Sequence, residues 1–210
     1  MRLLSRLSWV RVLSRRYSVR RGFGLFCLGL SLVLSGVAHA STIHPVRGFL
    51  PDLRFTLMGR DGATVTQDDF RGKVVMLFFG YANCPDICPT TMAQLAQVME
   101  ALGGQAERAR VLFISVDPHR DTPEILQAYV QAFDRRAVGL TGSARQIADV
   151  ARRYRVSFQI DKPAPGADAN NYAVAHSRGI FFFDDQGRAR FLASDAESVE
   201  ALAQTARALL

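Results

Sequence analysis

Six consecutive apolar residues, Val74-Val75-Met76-Leu77-Phe78-Phe79, lead within a few positions into Cys84-Pro85-Asp86-Ile87-Cys88-Pro89. An uninterrupted apolar run of that length reads as a strand buried on both faces. Beyond it, Met92, Leu95, Ala96, Met99 and Leu102 share one helical face, so the spacing predicts a helix from about Pro89 to Leu102. The two thiols therefore stand where a buried strand gives way to a helix. At a helix N-terminus the free N–H groups and the positive end of the dipole favour thiolate over thiol, and thiolate is both nucleophile and metal ligand. Chemistry is expected at this point.

The same reading extends along the chain. Short strands at Leu53 to Leu57 and Ala63 to Thr66 flank the turn Gly59-Arg60-Asp61-Gly62. After the cysteine helix come a strand at Val111 to Val116 and a helix following Asp121-Thr122-Pro123, with Ile125, Leu126, Tyr129, Val130 and Phe133 as its apolar stripe. Next are a strand at Val138 to Leu140, a helix from Ser143, and a strand at Val156 to Ile160. The Pro-, Ala- and Asn-rich stretch from Pro163 to Asn171 reads as an exposed, mobile loop. A hairpin of Ile180 to Phe183 and Arg190 to Ala193, and a helix from Ala196, close the chain. Strands alternating with helices imply an α/β domain with a mainly parallel sheet covered on both faces.

Residues 1 to 40 read differently. Residues 1 to 21 hold seven arginines and no acid, Gly22 to Ala38 carry no charge, and Ala38-His39-Ala40 follows as a small-x-small site. That order is the signature of an export signal. Two fates are compatible with it: cleavage, by Sec or twin-arginine export, or retention as an inner-membrane anchor with residues 1 to 21 cytoplasmic. Either way the expected division is a leader over 1–40 and one domain over 41–210, on the periplasmic side of a bacterial inner membrane. Of the 26 Lys and Arg residues the leader takes seven, which leaves nineteen against the 19 acids. The net charge of +7 thus belongs to the leader, and nucleic-acid binding is excluded as the reason for it.

Cys27 leaves with the leader and is not preceded by a lipobox, so Cys84 and Cys88 are the two cysteines of the domain. A structural disulfide between them would close a very small loop and constrain little of the unfolded chain. A functional pair is the better reading. In α/β sheets, sites form outside the carboxyl ends of the strands. That points to three further segments: Asp117-Pro118-His119-Arg120-Asp121 after the Val111 strand, Ala175-His176-Ser177 before the Phe-rich strand, and His44 in the extended region near the start of the domain.

At this point Gly80-Tyr81, Cys84-Pro85-Asp86-Ile87-Cys88-Pro89-Thr90-Thr91, Ser115-Val116-Asp117-Pro118, Arg120-Asp121-Thr122-Pro123 and His176-Ser177, taken in order, resemble the Sco/SenC family of copper-binding cytochrome oxidase assembly proteins. The resemblance implies a thioredoxin-like fold with Cys84, Cys88 and His176 as copper ligands. Many relatives carry an Asp where this chain has Ala175, so the contact that orients the imidazole must come from elsewhere. Two thiolates and an imidazole suit Cu(I) and, with an added weak ligand, tolerate Cu(II). Met92 reads as core and His119 as a solvated loop residue. Asp86, Asp117 and Arg120 are expected to orient the site, and Asp121 to cap the following helix.

Two functions follow. In the first, the protein is a copper metallochaperone that passes copper to the copper-receiving subunit of a respiratory oxidase. In the second, it is a thiol–disulfide oxidoreductase in which Cys84 attacks and Cys88 resolves. The first makes it a carrier, the second an enzyme, and either calls for a periplasmic copper donor or a thiol reductant as a further partner.

Overall fold

A computed structural model describes residues 42–210 apart from 47, 164 and 167. The expected leader therefore lies outside the described residues. Among the described residues no helix is long and apolar enough to cross a membrane.

The strands are β1 (Ile43–Pro45), β2 (Thr56–Met58), β3 (Thr64–Thr66), β4 (Val74–Gly80), β5 (Ala109–Ser115), β6 (Val138–Leu140), β7 (Phe158–Ile160), β8 (Val174–His176), β9 (Ile180–Phe183) and β10 (Ala189–Ala193). The helices are α1 (Ile87–Ala101), α2 (Pro123–Gln131), α3 (Ala144–Arg153) and α4 (Val199–Arg207). Six strands form the central sheet in the order β1-β10-β9-β4-β5-β6, while β2-β3 and β7-β8 are separate two-stranded ribbons. Every residue of β4 and of β9 is buried, as their unbroken apolar runs require.

The α/β, thioredoxin-like arrangement is as expected, with one correction. The sheet is mixed and not mainly parallel: β4-β5 and β5-β6 are parallel, but β4-β9, β9-β10 and β1-β10 are antiparallel. The hairpin that ends the domain enters beside β4 and brings the opposite direction with it. Strand β1 was not foreseen as a strand, being three residues that include a proline. An edge position tolerates a missing N–H, which is where Pro45 sits.

Because β4, β5 and β6 follow one another in one direction, their two crossover helices lie on one face. Contacts agree. Phe113 of β5 packs on Tyr129 of α2, and a Cβ at Gly139 would meet Leu126 of α2 at 2.9 Å. Gly80, on that same face, abuts Cys88 of α1, and α4 packs on α1. The other face is covered through Tyr154 at the end of α3, whose ring contacts Phe79, Phe181 and Phe183. Its hydroxyl donates to the carbonyl of Asp52 and accepts from the N–H of Arg54. Each fully buried phenylalanine of these layers contributes roughly 1.5–3 kcal/mol. Ile125, expected in the α2 stripe, is instead 48% exposed, while Leu126 and Val130 carry the burial.

Candidate metal centre

Strands β4 and β5 run parallel, so the loops that leave their carboxyl ends are neighbours, and the N–H of Val116 donates to the carbonyl of Gly80 at 2.8 Å. The first loop delivers the cysteines. Helix α1 begins at Ile87, two residues earlier than the spacing suggested, so Cys88 lies inside its first turn and Cys84 just before it. The first-turn N–H groups have no intrahelical partner. One of them, that of Cys88, donates to Cys84 Sγ at 3.4 Å.

The two thiols consequently differ. Burial pushes Cys84 up, but the N–H groups of Asp86 and Cys88, the Cys88 thiol and the Tyr81 hydroxyl outweigh it and hold Cys84 below the ordinary thiol value. Cys88 is fully buried, and burial pushes its thiol far above that value. Tyr81 is raised as well, first by burial and then by charge on Cys84, so its hydroxyl stays protonated.

His176 reaches the cysteines from the end of β8, a strand that pairs with β7 through Phe158 and that the sequence did not announce. Its Nε2 stands 3.6 Å from Cys88 Sγ. Its Nδ1 lies 3.0 Å from the carbonyl of Ser177. A carbonyl only accepts, so in the neutral imidazole Nδ1 carries the proton and Nε2 presents its lone pair to Cys88. This is the orienting contact that the alanine at position 175 required, and it comes from the backbone one residue on. Ser177 is itself held, since its N–H donates to the carbonyl of Ser157 at 2.8 Å and its hydroxyl accepts from the N–H of Ser157 at 3.0 Å. Tyr81 and Phe78 meet the imidazole edge to face, with centroids 6.1 and 6.2 Å away.

The donors present suit a soft metal ion. The spacing of 3.6 Å between Cys88 Sγ and His176 Nε2 is what two ligands of one ion show when metal–sulfur and metal–nitrogen bonds are about 2.3 and 2.0 Å. Cys84 is joined to this pair through the Cys88 amide. Among the described residues no three His, Cys, Asp or Glu side chains already stand together as a closed metal-binding set.

Behind the cysteines lies a polar network on the second loop. Asp121 is buried and accepts from the N–H of Ala82 at 3.0 Å and from Ser115 Oγ at 2.6 Å. It does not cap α2 as expected. Thr122 does, accepting from the N–H of Ile125, because its extended backbone aims the hydroxyl at the first turn. Arg120 and Asp117 form a buried ion pair. The Asp86 side chain makes no capping bond, and its carbonyl accepts from Thr90. Met92 belongs to the core, His119 is exposed on its loop, and His44 lies on β1, three strands from β4. Tyr81 and Ser177 stand in the motifs the sequence offers and Phe78 in its apolar run, but their contacts with His176 are not legible there. Tyr172 is marked by nothing local, because its partner Asp117 lies far away in the chain.

The SCO1/SenC family model matches residues 50–210. A bovine mitochondrial SCO2 homolog is 40% identical over 155 residues, which cover 73% of this chain and 57% of that protein. The chain spans 57–64% of the length of the first curated relatives it matches. Among solved structures, that of Bradyrhizobium japonicum ScoI with copper bound is similar at 34% identity and a TM-score of 0.68, covering 76% of this chain and 99% of that one. The solution structure of apo Sco1 from Thermus thermophilus is similar at 33% identity and a TM-score of 0.70, covering 83% of this chain and all of the other.

Proposed function

This chain belongs to the SCO1/SenC family, and from that premise we propose that it binds copper through Cys84, Cys88 and His176 and delivers it to the copper-receiving subunit of a respiratory cytochrome oxidase. The observation that carries this reading is the His176 imidazole: its Nε2 lone pair faces Cys88 Sγ at 3.6 Å, while Nδ1 is committed to a carbonyl. A donor arranged in that way is what a metal requires of histidine. The copper-bound ScoI structure supports the choice of metal. Two sulfurs and one nitrogen favour Cu(I), and low coordination leaves the ion open to exchange with incoming ligands of a recipient. The basic, then apolar, then Ala-x-Ala order of residues 1–40 supports a place on the periplasmic side of the inner membrane.

The test is an anaerobic Cu(I) titration of the full chain against a competing chelator. One tightly bound ion per chain is expected, with tight binding abolished in Cys84→Ser and Cys88→Ser and weakened in His176→Ala. Undiminished affinity in Cys88→Ser would sink the assignment.

A second reading, thiol–disulfide exchange with cysteines of an oxidase subunit, rests on the asymmetry of the pair. Cys84 is half-buried with a lowered pKa, and Cys88 is buried with a raised one, which fits an attacking and a resolving thiol. A His176→Ala protein that binds Cu(I) like the wild type yet loses dithiol reactivity would favour this reading.

A further inference from the structure

Resting on the copper-binding reading, we propose that Arg120 is a positioning residue for His176: with Asp117 and Asp121 it sets the distance between the segment that carries the cysteines and the segment that carries the histidine. Those two segments lie far apart in the sequence, one between β4 and α1 and the other at β8. The pentapeptide Asp117 to Asp121, at the end of β5, touches both.

On the histidine side, Arg120 Nη1 donates to the carbonyls of Asn170 and Tyr172, each at 2.9 Å. The guanidinium carbon lies 3.7 Å from the centre of the Tyr172 ring, a stacked cation–π contact. Asp117 holds the guanidinium through Nε and accepts from the Tyr172 hydroxyl at 2.8 Å. Tyr172 is therefore gripped at its carbonyl, its ring and its hydroxyl, two residues before β8 begins. On the cysteine side, Asp121 takes the N–H of Ala82, two residues before Cys84. Ser115 Oγ ties the halves together by donating to Asp121 and accepting from the N–H of Asp117 at 2.9 Å.

The Arg120 side chain is 9% exposed and that of Asp117 is fully buried, so the clamp is sheltered from screening. Only arginine offers this set of contacts, because its planar fork serves a carboxylate, two carbonyls and a ring at once, whereas lysine presents a single point of charge. A lysine there keeps the charge beside Asp117 and loses the grip on Asn170 and Tyr172.

The experiment is a double-mutant cycle on the full chain, with Cu(I) as the probe and Arg120→Lys and His176→Ala as the two substitutions. Where His176 is present, Arg120→Lys is expected to lower copper affinity by about tenfold or more, as loss of a partner behind a metal ligand does. In the His176→Ala background the same substitution is expected to change affinity by less than about twofold. A matching shift of the Cu(II)–thiolate absorption toward that of His176→Ala is expected, which a general loss of stability would not produce. An equal loss in both backgrounds, or none in either, overturns the proposal. Tyr172→Phe, which removes only the bond to Asp117, gives the same dependence on His176 if the lysine variant does not fold.

Should the wild-type chain bind no copper, the functional reading fails and amide exchange decides the positioning claim. In metal-free protein, Arg120→Lys is expected to speed exchange at residues 174–177 and leave α4 unchanged. Unaltered exchange at 174–177 overturns it.

Discussion

Gly80 shows how closely the centre is built at the level of single atoms. A Cβ placed there would stand 2.8 Å from Cys88 Sγ and 2.8–2.9 Å from the Phe113 ring, so the last residue of β4 has to lack a side chain for the thiol to lie where it does. Neither neighbour is a flexible chain end: Cys88 is held in a helix turn and Phe113 in the middle of a buried strand. Gly80→Ala is therefore expected to destabilise the domain by roughly 1–3 kcal/mol, the usual cost of overpacking, and to displace Cys88 from His176. Urea unfolding of the metal-free protein measures the first effect, and a weakened Cu(I) affinity reports the second. An alanine variant with wild-type stability would mean that the sheet end yields more easily than its contacts indicate.

Among the elements, the β9–β10 hairpin is held by one carboxylate. Asp184 is buried and accepts from the N–H groups of Gln186 and Arg188 at 3.1 and 3.0 Å, and from the guanidinium groups of Arg188 and Arg190 at 2.8 Å. Burial pushes its pKa up, but the Arg188 N–H and the two guanidinium groups outweigh it and hold the carboxyl below its ordinary value. A group depressed on folding contributes stability that is present above its unfolded pKa of about 3.9 and is lost as pH falls through the lower folded value. Asp184→Asn is expected to cost roughly 1.5–3 kcal/mol near pH 7, the range for hydrogen bonds to a charged group. The gap between variant and wild type should narrow as pH falls below the unfolded value of about 3.9 and through the lower folded one. Chemical denaturation across that range checks it, and a gap independent of pH would show that the charge is not what secures the turn.

For the whole molecule, a metal bound by Cys84, Cys88 and His176 would cross-link the loop after β4, the first turn of α1 and the β7–β8 ribbon. Any ligand confined to the native state stabilises it by mass action, about 2.7 kcal/mol at a hundredfold excess over Kd. For a domain of this size that amounts to a rise of roughly 5–11 °C in Tm. Calorimetry with and without one equivalent of Cu(I) under anaerobic conditions is expected to show such a rise, absent in Cys88→Ser. An equal rise in that variant would place the bound copper elsewhere.

Much of this was readable along the chain, for a physical reason: strands and helices announce themselves through local periodicity. The apolar runs of β4 and β9, the stripe of α1 and the Cys84-x-x-x-Cys88 spacing are all contained within a dozen residues, and so the α/β architecture, the place of the thiols and the interest of His176 emerged from sequence. What involves partners far apart in the chain did not. The antiparallel entry of β9 beside β4 made the sheet mixed, and the edge strand β1 exists only because β10 is there to pair with it. Strand β8 likewise depends on β7, and it is this pairing that carries His176 to within 3.6 Å of Cys88. Asp121, which local rules made a helix cap, is drawn inward by Ala82 and Ser115, and Thr122 takes the cap. The residue types of the centre were determined by sequence alone; their distances, the tautomer of His176 and the grip of Arg120 on Tyr172 were decided by tertiary structure, because buried polar groups settle with whichever partner folding brings within reach.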